Sequence, residues 1–534
     1  MRISPLDIAE FTARGWWGEE TIGGIVARHA SQRPTNTAFV DDTSVTTWFE
    51  YHELADRIAR NLLSHGLGVA DRIGVLLPDS GLVHAVYVAC ERIGAVVVGL
   101  GTRAGDRELA HLLDKTSARA VITGPSTSEG WSMNGRLASM KLRSLEVHLE
   151  VERTGEMTAH FIQPPAGRFL AEARPLGPND LFLLNSTSGT TGLPKCVTQF
   201  QNRWFFFHRL AQDSADLQTD DVFMSLVPSP FGFGLWTAHF TPAILGAPTV
   251  VMERFDAERA IERIIELGVT ILCCVSTQFL MMLTHRSFDS LRTAPLRAMF
   301  TGGESVPPQK ATEFELRSGA AVLQFFGSNE TGAFSRTTLR HTREQRLTTA
   351  GEIVPEMNIR LFDESGSIVT EDGIPGQPGG HGPAMCGGYF EDDRANAELY
   401  TDDGWMLMGD FVTIDRDGFL KVVGRKADFI IRGGKNISAA EVEELLCSHP
   451  AVALAAVVPI PDAIFGERIG AVIEAVPGAV VDLDSLLAHF RGLGASKEMM
   501  PERLALVEEL PRSSGGKVAK GELRNAVDRL FPSS

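Results

Sequence analysis

The chain has 534 residues, 44% of them hydrophobic and 22% charged, and a formal net charge of -17. That length exceeds what one hydrophobic core serves and predicts two or more domains of ordinary globular composition. The acidic balance argues against nucleic acid or anionic membranes as partners, and apolar runs such as Gly94 to Leu100 are far too short to span a bilayer. The six cysteines, Cys90, Cys196, Cys273, Cys274, Cys386 and Cys447, show no C-x-x-C spacing, and no secretory leader precedes the first acidic residues. They read as reduced core residues of a cytoplasmic protein, with Cys273-Cys274 buried in the apolar run Val269 to Val275.

The first predicted elements are helices over Thr21 to Arg28 and Tyr51 to His65, then a buried strand over Arg72 to Leu77. Helix Leu82 to Ile93, strand Val96 to Leu100, helix Arg107 to Thr116 and strand Ala118 to Thr123 continue the alternation expected of a parallel sheet. The apolar run Leu181 to Leu184 reads as another strand. A second α/β round follows, with helices 204–213, 236–245 and 257–267 and strands 221–226, 249–252 and 270–275. From Gly351 the texture changes to short strands at Ile359 to Phe362 and Leu420 to Val423, with the Gly- and Pro-rich stretch 373–382 expected to be loop. A last unit carries helix 439–447, strands 452–459 and 469–475, helix 483–492 and a terminal helix 520–530.

Directly after the strand at Leu184 comes Ser186-Thr187-Ser188-Gly189-Thr190-Thr191-Gly192-Leu-Pro-Lys195, which suits a polyphosphate. The glycines admit close backbone approach, while hydroxyls, amides and an ammonium supply donors to oxygens carrying several charges. It is not a Walker loop, because Lys195 lies three residues past Gly192 and precedes Cys196.

Further signatures follow in order: Pro228-Ser-Pro-Phe231-Gly-Phe233-Gly, Thr301-Gly302-Gly303-Glu304, Gln324-Phe325-Phe326-Gly327-Ser328-Asn329-Glu330-Thr, Trp405-Met-Leu-Met-Gly-Asp410, Gly424-Arg425-Lys-Ala-Asp428, Arg432-Gly433-Gly434-Lys435-Asn-Ile-Ser with Glu441-Val-Glu443, and Leu510-Pro-Arg-Ser-Ser-Gly-Gly-Lys517. With the loop, and across essentially the whole chain, they resemble the ANL superfamily of adenylate-forming enzymes, in its acyl- and aryl-acid CoA ligase branch. The resemblance implies an α/β fold. A large N-terminal AMP-binding region of parallel sheets with a small β-barrel-like part would span 1–423, and a small mobile α+β lid domain 424–534.

The same resemblance implies the cofactors ATP, held as AMP in the intermediate, Mg²⁺ and coenzyme A. Ser186, Thr187, Ser188, Gly189, Thr190, Thr191 and Gly192 would cradle phosphate, with Mg²⁺ on Glu330 and Thr190. Gly302, Gly303, Glu304, Phe326, Gly327 and Asn329 would hold the adenine side, Asp410 and Arg425 the ribose and phosphate, and Gly433, Gly434 and Lys435 the pantetheine. Lys195, Lys517 and Glu330 would carry catalysis, and Phe231, Phe233, Trp236, Phe325 and Ser328 would line the acid pocket.

The implied chemistry needs no protein nucleophile, and no G-x-S-x-G elbow is present. A carboxylate attacks the α-phosphorus of ATP, giving an acyl-AMP that a thiol then captures, with cations set against phosphate charge. The segment after Pro228 lacks the aspartate that would pair an α-ammonium, which disfavours amino acids. Its aromatics favour a hydrophobic aromatic or cyclic acid, and the opening Gly15-Trp-Trp-Gly-Glu-Glu-Thr resembles the start of aryl-acid activating and cyclic-acid CoA ligases, which implies the same. Departures gather on the nucleotide side: Cys196, Gln201, Asn329, Met408, Gly376 to Gly380 and Ala427. They motivate a second hypothesis, a thioesterification-only ligase fed by a partner adenylating enzyme, of the platensimycin-type diterpenoid acid kind. An enzyme that loads a separate carrier protein and an inactive nucleotide-binding regulator also fit the motifs.

Overall fold

Val96-Val97-Val98 and Ala120-Val121-Ile122 are continuous apolar runs, and each forms a strand buried on both faces, as parallel strands covered by helices require. The computed structural model describes residues 3–125, 133–163, 172–186, 193–304, 306–363, 365–425, 428–432, 435–462, 465–513 and 517–532. The chain forms two α/β units. The first holds Met1–Phe255, Asn329–Gly332 and Gly382–Leu399, and the second Asp256–Ser328, Ala333–His381 and Tyr400–Ser534.

In the first unit a seven-stranded sheet runs in the order Met157–Phe161, Val147–Val151, Ala120–Thr123, Arg72–Leu76, Val96–Gly99, Leu183–Ser186, Cys196–Gln199. The five inner strands are parallel and the two edge strands antiparallel. Helix Gly81–Ile93 is buried almost throughout and stops at Gly94, whose φ of 82° only glycine adopts readily. Helix Trp48–Ser64 begins with a reciprocal cap: Thr47 Oγ1 accepts the Glu50 N–H and Glu50 accepts the Thr47 N–H. Strands Thr37–Val40, Phe223–Ser225 and Thr249–Val251 add a second parallel set.

The second unit begins with parallel strands Ile271–Cys273, Ala298–Gly302 and Ala321–Ser328. Small antiparallel sheets follow, one of four strands and one pairing Asp410–Ile414 with Leu420–Arg425. Towards the end, Val452–Asp462 and Gly466–Ala475 pair along most of their length, and Arg503–Val507 joins in parallel. Helix Ala439–Cys447 packs on Val452–Asp462 over a core of Val442, Leu446, Val457 and Ile473.

Three expectations are corrected. The stretch 373–382 contains a strand, Gln377–Gly380, paired with Arg360–Phe362 and Met406–Leu407. Its glycines serve packing rather than turning: a Cβ on Gly379 would lie 2.7 Å from the Phe362 ring, and one on Gly380 2.5 Å from Phe334. The helix expected over 236–245 is a π-helix at Leu235–Phe240 followed by an α-helix at Thr241–Leu245, a widening common at functional sites. The terminal helix is two short ones, Lys520–Asn525 and Val527–Leu530. Among the described residues, no helix is long and apolar enough to cross a membrane.

Candidate active site

Strands Leu183–Ser186 and Cys196–Gln199 pair antiparallel, with Ser186 opposite Cys196. They therefore bring the two ends of the phosphate-loop motif together. Thr187 to Gly192, Thr190 included, lie outside the described residues, as do Gly433 and Gly434 and the side chain of Lys435. Lys195 stands at the start of the returning strand, with Nζ 4.7 Å from the centroid of the Tyr389 ring, a cation–π contact.

The same phenol turns its hydroxyl to Glu330, donating to Oε1 at 2.7 Å. The Glu330 backbone is held by the Cys386 N–H, 2.7 Å from its carbonyl. A carboxylate offers about four lone-pair sites, so one that accepts a phenol hydrogen still suits a hard oxygen-seeking cation. Tyr389 escaped the sequence reading. It is one of four tyrosines and follows two glycines, a thin signal without its long-range partner.

Asn329, next to Glu330 and half-buried, joins an amide cluster whose other members are buried. Its Nδ2 donates to Asn185 Oδ1 at 2.8 Å, and its Oδ1 accepts from Asn185 at 3.3 Å and from Gln199 at 3.1 Å. Gln199 also donates to Asn185 at 2.9 Å. Arg203 closes the set, donating to Gln199 Oε1 at 2.6 Å and to the Asn329 and Ala384 carbonyls. A Cβ on Gly232 would lie 2.7 Å from Asn329 Oδ1, so this glycine lets the cluster abut the segment expected to bind the acid.

That segment is tightly built. Gly234 passes so close to its own loop that a Cβ would lie 2.3 Å from the Val227 and Pro228 carbonyls. Phe231 precedes the helical turn and Phe233 meets Trp236 edge-on at 5.3 Å. Trp236 is 1% exposed and packs on Phe207 at 4.6 Å. Two further departures are absorbed by the core: the Gln201 side chain accepts the Ile22 N–H at 2.8 Å, and Cys196 is a buried strand residue whose thiol burial pushes up to about 12.

In the second unit, Gly302 ends a strand where a Cβ would lie 2.3 Å from the Phe325 carbonyl, and Gly303 turns at φ 77°. Lys517 Nζ donates to the Gly303 carbonyl at 2.7 Å. Glu304 accepts the Thr277 N–H at 3.2 Å, at the start of helix Ser276–Leu283. Phe325 and Phe326 alternate along strand Ala321–Ser328: Phe325 packs edge-on to Phe300 at 5.3 Å, while Phe326 packs with Leu361, Val412 and Leu420. Gly327 and Ser328 complete that strand.

Asp410 and Arg425 face each other across two antiparallel strands, Arg425 Nε lying 3.3 Å from Asp410 Oδ1. Burial pushes the Asp410 carboxyl up, against the pull of Arg425. Met408, the departure beside it, is buried, with its N–H on the Pro378 carbonyl and its own carbonyl accepting from Gln377. Glu443 of the Glu441-Val-Glu443 motif is structural in this arrangement, bonding Lys520 at 2.7 Å and the Val457 N–H at 2.7 Å.

Known proteins resemble this chain along most of its length. A family model of the AMP-binding enzyme matches residues 26–390, and one of the AMP-binding enzyme C-terminal domain matches 441–517. The chain is 27% identical to a medium-chain fatty-acid–CoA ligase of Escherichia coli (strain K12), covering 98% of this chain and 93% of that protein. It is 30% identical to a feruloyl-CoA synthase of Amycolatopsis sp, covering 94% and 98%. Among solved structures it resembles an anthranilate CoA ligase in complex with anthranoyl-AMP, with a TM-score of 0.84, 22% identity and coverage of 95% and 97%, a likeness of fold.

Proposed function

The chain belongs to the AMP-binding enzyme family and is an acid–thiol ligase; within that class we propose that it activates a hydrophobic aromatic or cyclic carboxylic acid as acyl-AMP and passes the acyl group to coenzyme A. The observation that carries the choice of acid is the wall around the turn after Pro228. Phe231 and Phe233 stay partly exposed there, backed by the buried Trp236 and Phe207, and no carboxylate stands in Pro228 to Gly234 to pair a substrate ammonium. Such a wall suits a flat or polycyclic apolar body. The named relatives span both fatty and aryl acids, so the wall, rather than kinship, supports this part of the reading.

In this reading the substrate carboxylate attacks the α-phosphorus and pyrophosphate leaves. Lys195 and Lys517 offset charge on the phosphates, Arg425 and Asp410 hold the ribose side, and Glu330, with Thr190, holds Mg²⁺ brought by the nucleotide. Bound Mg²⁺ supplies electrostatic neutralisation of the phosphate oxygens. Tyr389 orients both Glu330 and Lys195, one through its hydroxyl and the other through its ring. In the second half-reaction the thiol displaces AMP, with Gly433, Gly434 and Lys435 beside the pantetheine and residues 424–534 acting as the lid that alternates between steps. We place the reaction in the cytoplasm.

ATP–pyrophosphate exchange with a panel of aryl, polycyclic and fatty acids tests the reading, followed by thioester formation from the matching acyl adenylate and CoA. Exchange and thioester formation with a bulky cyclic acid are expected. Preference for straight-chain acids would overturn the choice of substrate. Thioester formation without exchange would identify the divided ligase, and transfer only to a pantetheinylated carrier would move the acceptor from CoA to a protein.

A further inference from the structure

We propose that His148, Glu150 and His160, on the edge hairpin of the seven-stranded sheet, form a binding site for a transition-metal ion of the Zn²⁺ class. The hairpin pairs Val147–Val151 with Met157–Phe161, and the register sets His148 directly opposite His160. Glu150 is two residues from His148 and so shares its face of the sheet. The three side chains offer ligand atoms that all lie within 4.8 Å of one another, with His160 Nε2 3.6 Å from Glu150 Oε2. In a tetrahedral zinc site with bonds near 2.0–2.2 Å, ligand atoms sit roughly 3.3–3.6 Å apart. Small rotamer adjustments would close the set around an ion, leaving the fourth position to water.

The hydrogen bonds around His148 accommodate the tautomer that a metal ligand needs. Its ring is fully buried, and Nε2 lies 2.9 Å from Thr123 Oγ1. The Gly124 carbonyl, 2.9 Å from the Thr123 hydroxyl, offers that hydroxyl an acceptor, and with its hydrogen placed there Thr123 Oγ1 accepts from Nε2. Nδ1 is then a bare lone pair, buried and without a hydrogen-bond partner. His160 Nε2 is likewise buried with none. A neutral imidazole whose far nitrogen is anchored to an oxygen is the form that ligates metal.

A competing cluster shows the contrast. His52, Glu53 and Asp56 also lie close together, but Arg92 donates to His52 Nδ1 at 2.9 Å and to Asp56 at 2.7 Å, so a guanidinium already serves as their cation. The His148 site is also separate in kind from the nucleotide's Mg²⁺, which prefers oxygen ligands. Its hairpin forms one edge of the sheet, whereas the strands flanking the phosphate loop form the other. A bound ion would pin the outermost strand, Met157–Phe161, to its neighbour.

The full chain, stripped with a chelator and desalted, is titrated with Zn²⁺ against a chromophoric competitor without nucleotide or Mg²⁺, and Co²⁺ is added in parallel. One tight equivalent and a tetrahedral Co²⁺ spectrum are expected. His160→Gln and Glu150→Gln should each weaken binding at least tenfold while melting cooperatively without metal. Thr123→Val, which frees the His148 tautomer, should weaken it by about 10- to 100-fold. The absence of a stoichiometric equivalent would overturn the proposal. So would a His160→Gln protein that binds like wild type, or a site lost on His52→Gln instead.

Discussion

Asn329 and Asn185 bind each other through reciprocal amide hydrogen bonds, 2.8 Å in one direction and 3.3 Å in the other. The substitution that looks like a loss at the nucleotide motif is thus matched by partners on the paired strands before and after the phosphate loop.

The cluster should therefore behave as one structural unit. Asn185→Leu leaves the buried Gln199 amide and the half-buried Asn329 amide each short of a partner, and an unsatisfied buried group costs about 1–3 kcal/mol. Gln199→Leu should cost a similar amount, because it also strips an acceptor from Arg203. The double variant should cost less than the sum, since the two share one network. Urea midpoints of the four proteins measure this, and strict additivity would show that the amides act independently.

Tyr389 has two separable duties. Tyr389→Phe removes the hydroxyl bond to Glu330 at 2.7 Å but keeps the ring 4.7 Å from Lys195. A hydrogen bond to a charged group contributes about 1.5–3 kcal/mol, so the Mg²⁺ concentration giving half-maximal pyrophosphate exchange should rise at least tenfold, with kcat little changed. Tyr389→Leu, which also removes the ring, should lower kcat as well. An unchanged Mg²⁺ dependence in Tyr389→Phe would remove Glu330 from the proposed metal role.

The sequence points to a candidate site because its motifs are local, and a loop of hydroxyls and glycines suggests its chemistry within ten residues. The amide cluster was hidden for the opposite reason: Asn329 and Asn185 are 144 positions apart, and no local pattern pairs them. Gln377–Gly380 was hidden because glycine is read as a turn former. Here the aromatic rings of Phe334 and Phe362 fill the space a side chain would need, which cannot be known until the sheet is assembled. The π-helix at Leu235–Phe240 shares its hydrophobic pattern with an α-helix, so spacing alone does not separate them.

Lys517 donates to the Gly303 carbonyl at 2.7 Å, a contact to backbone that substrate oxygens could take over. Lys517→Ala should lose at least about 100-fold in pyrophosphate exchange, the scale of a single electrostatic stabiliser. Thioester formation from supplied acyl adenylate should stay within about threefold, and denaturant stability within about 0.5 kcal/mol, as for surface substitutions. Equal losses in both half-reactions would assign Lys517 to general binding rather than to adenylation.

Asp79 gives a pH signature of stability. Its carboxyl is buried, accepts the Ser229 N–H at 2.9 Å, and is raised by that burial from 3.8 to about 6. Between about pH 4 and 6 the folded protein keeps a proton that the unfolded chain has released, so this group's contribution falls as pH rises through that window. By pH 7.5 the buried carboxylate is ionised, and a shift of this size corresponds to about 2–3 kcal/mol. Asp79→Asn keeps an oxygen to accept the Ser229 N–H and removes the charge. Relative to wild type it should be more stable at pH 7.5, with the difference shrinking towards zero at pH 4. Urea midpoints at the two pH values decide this: a difference that is constant, or larger at pH 4, would mean that Asp79 is not the buried acid its surroundings describe.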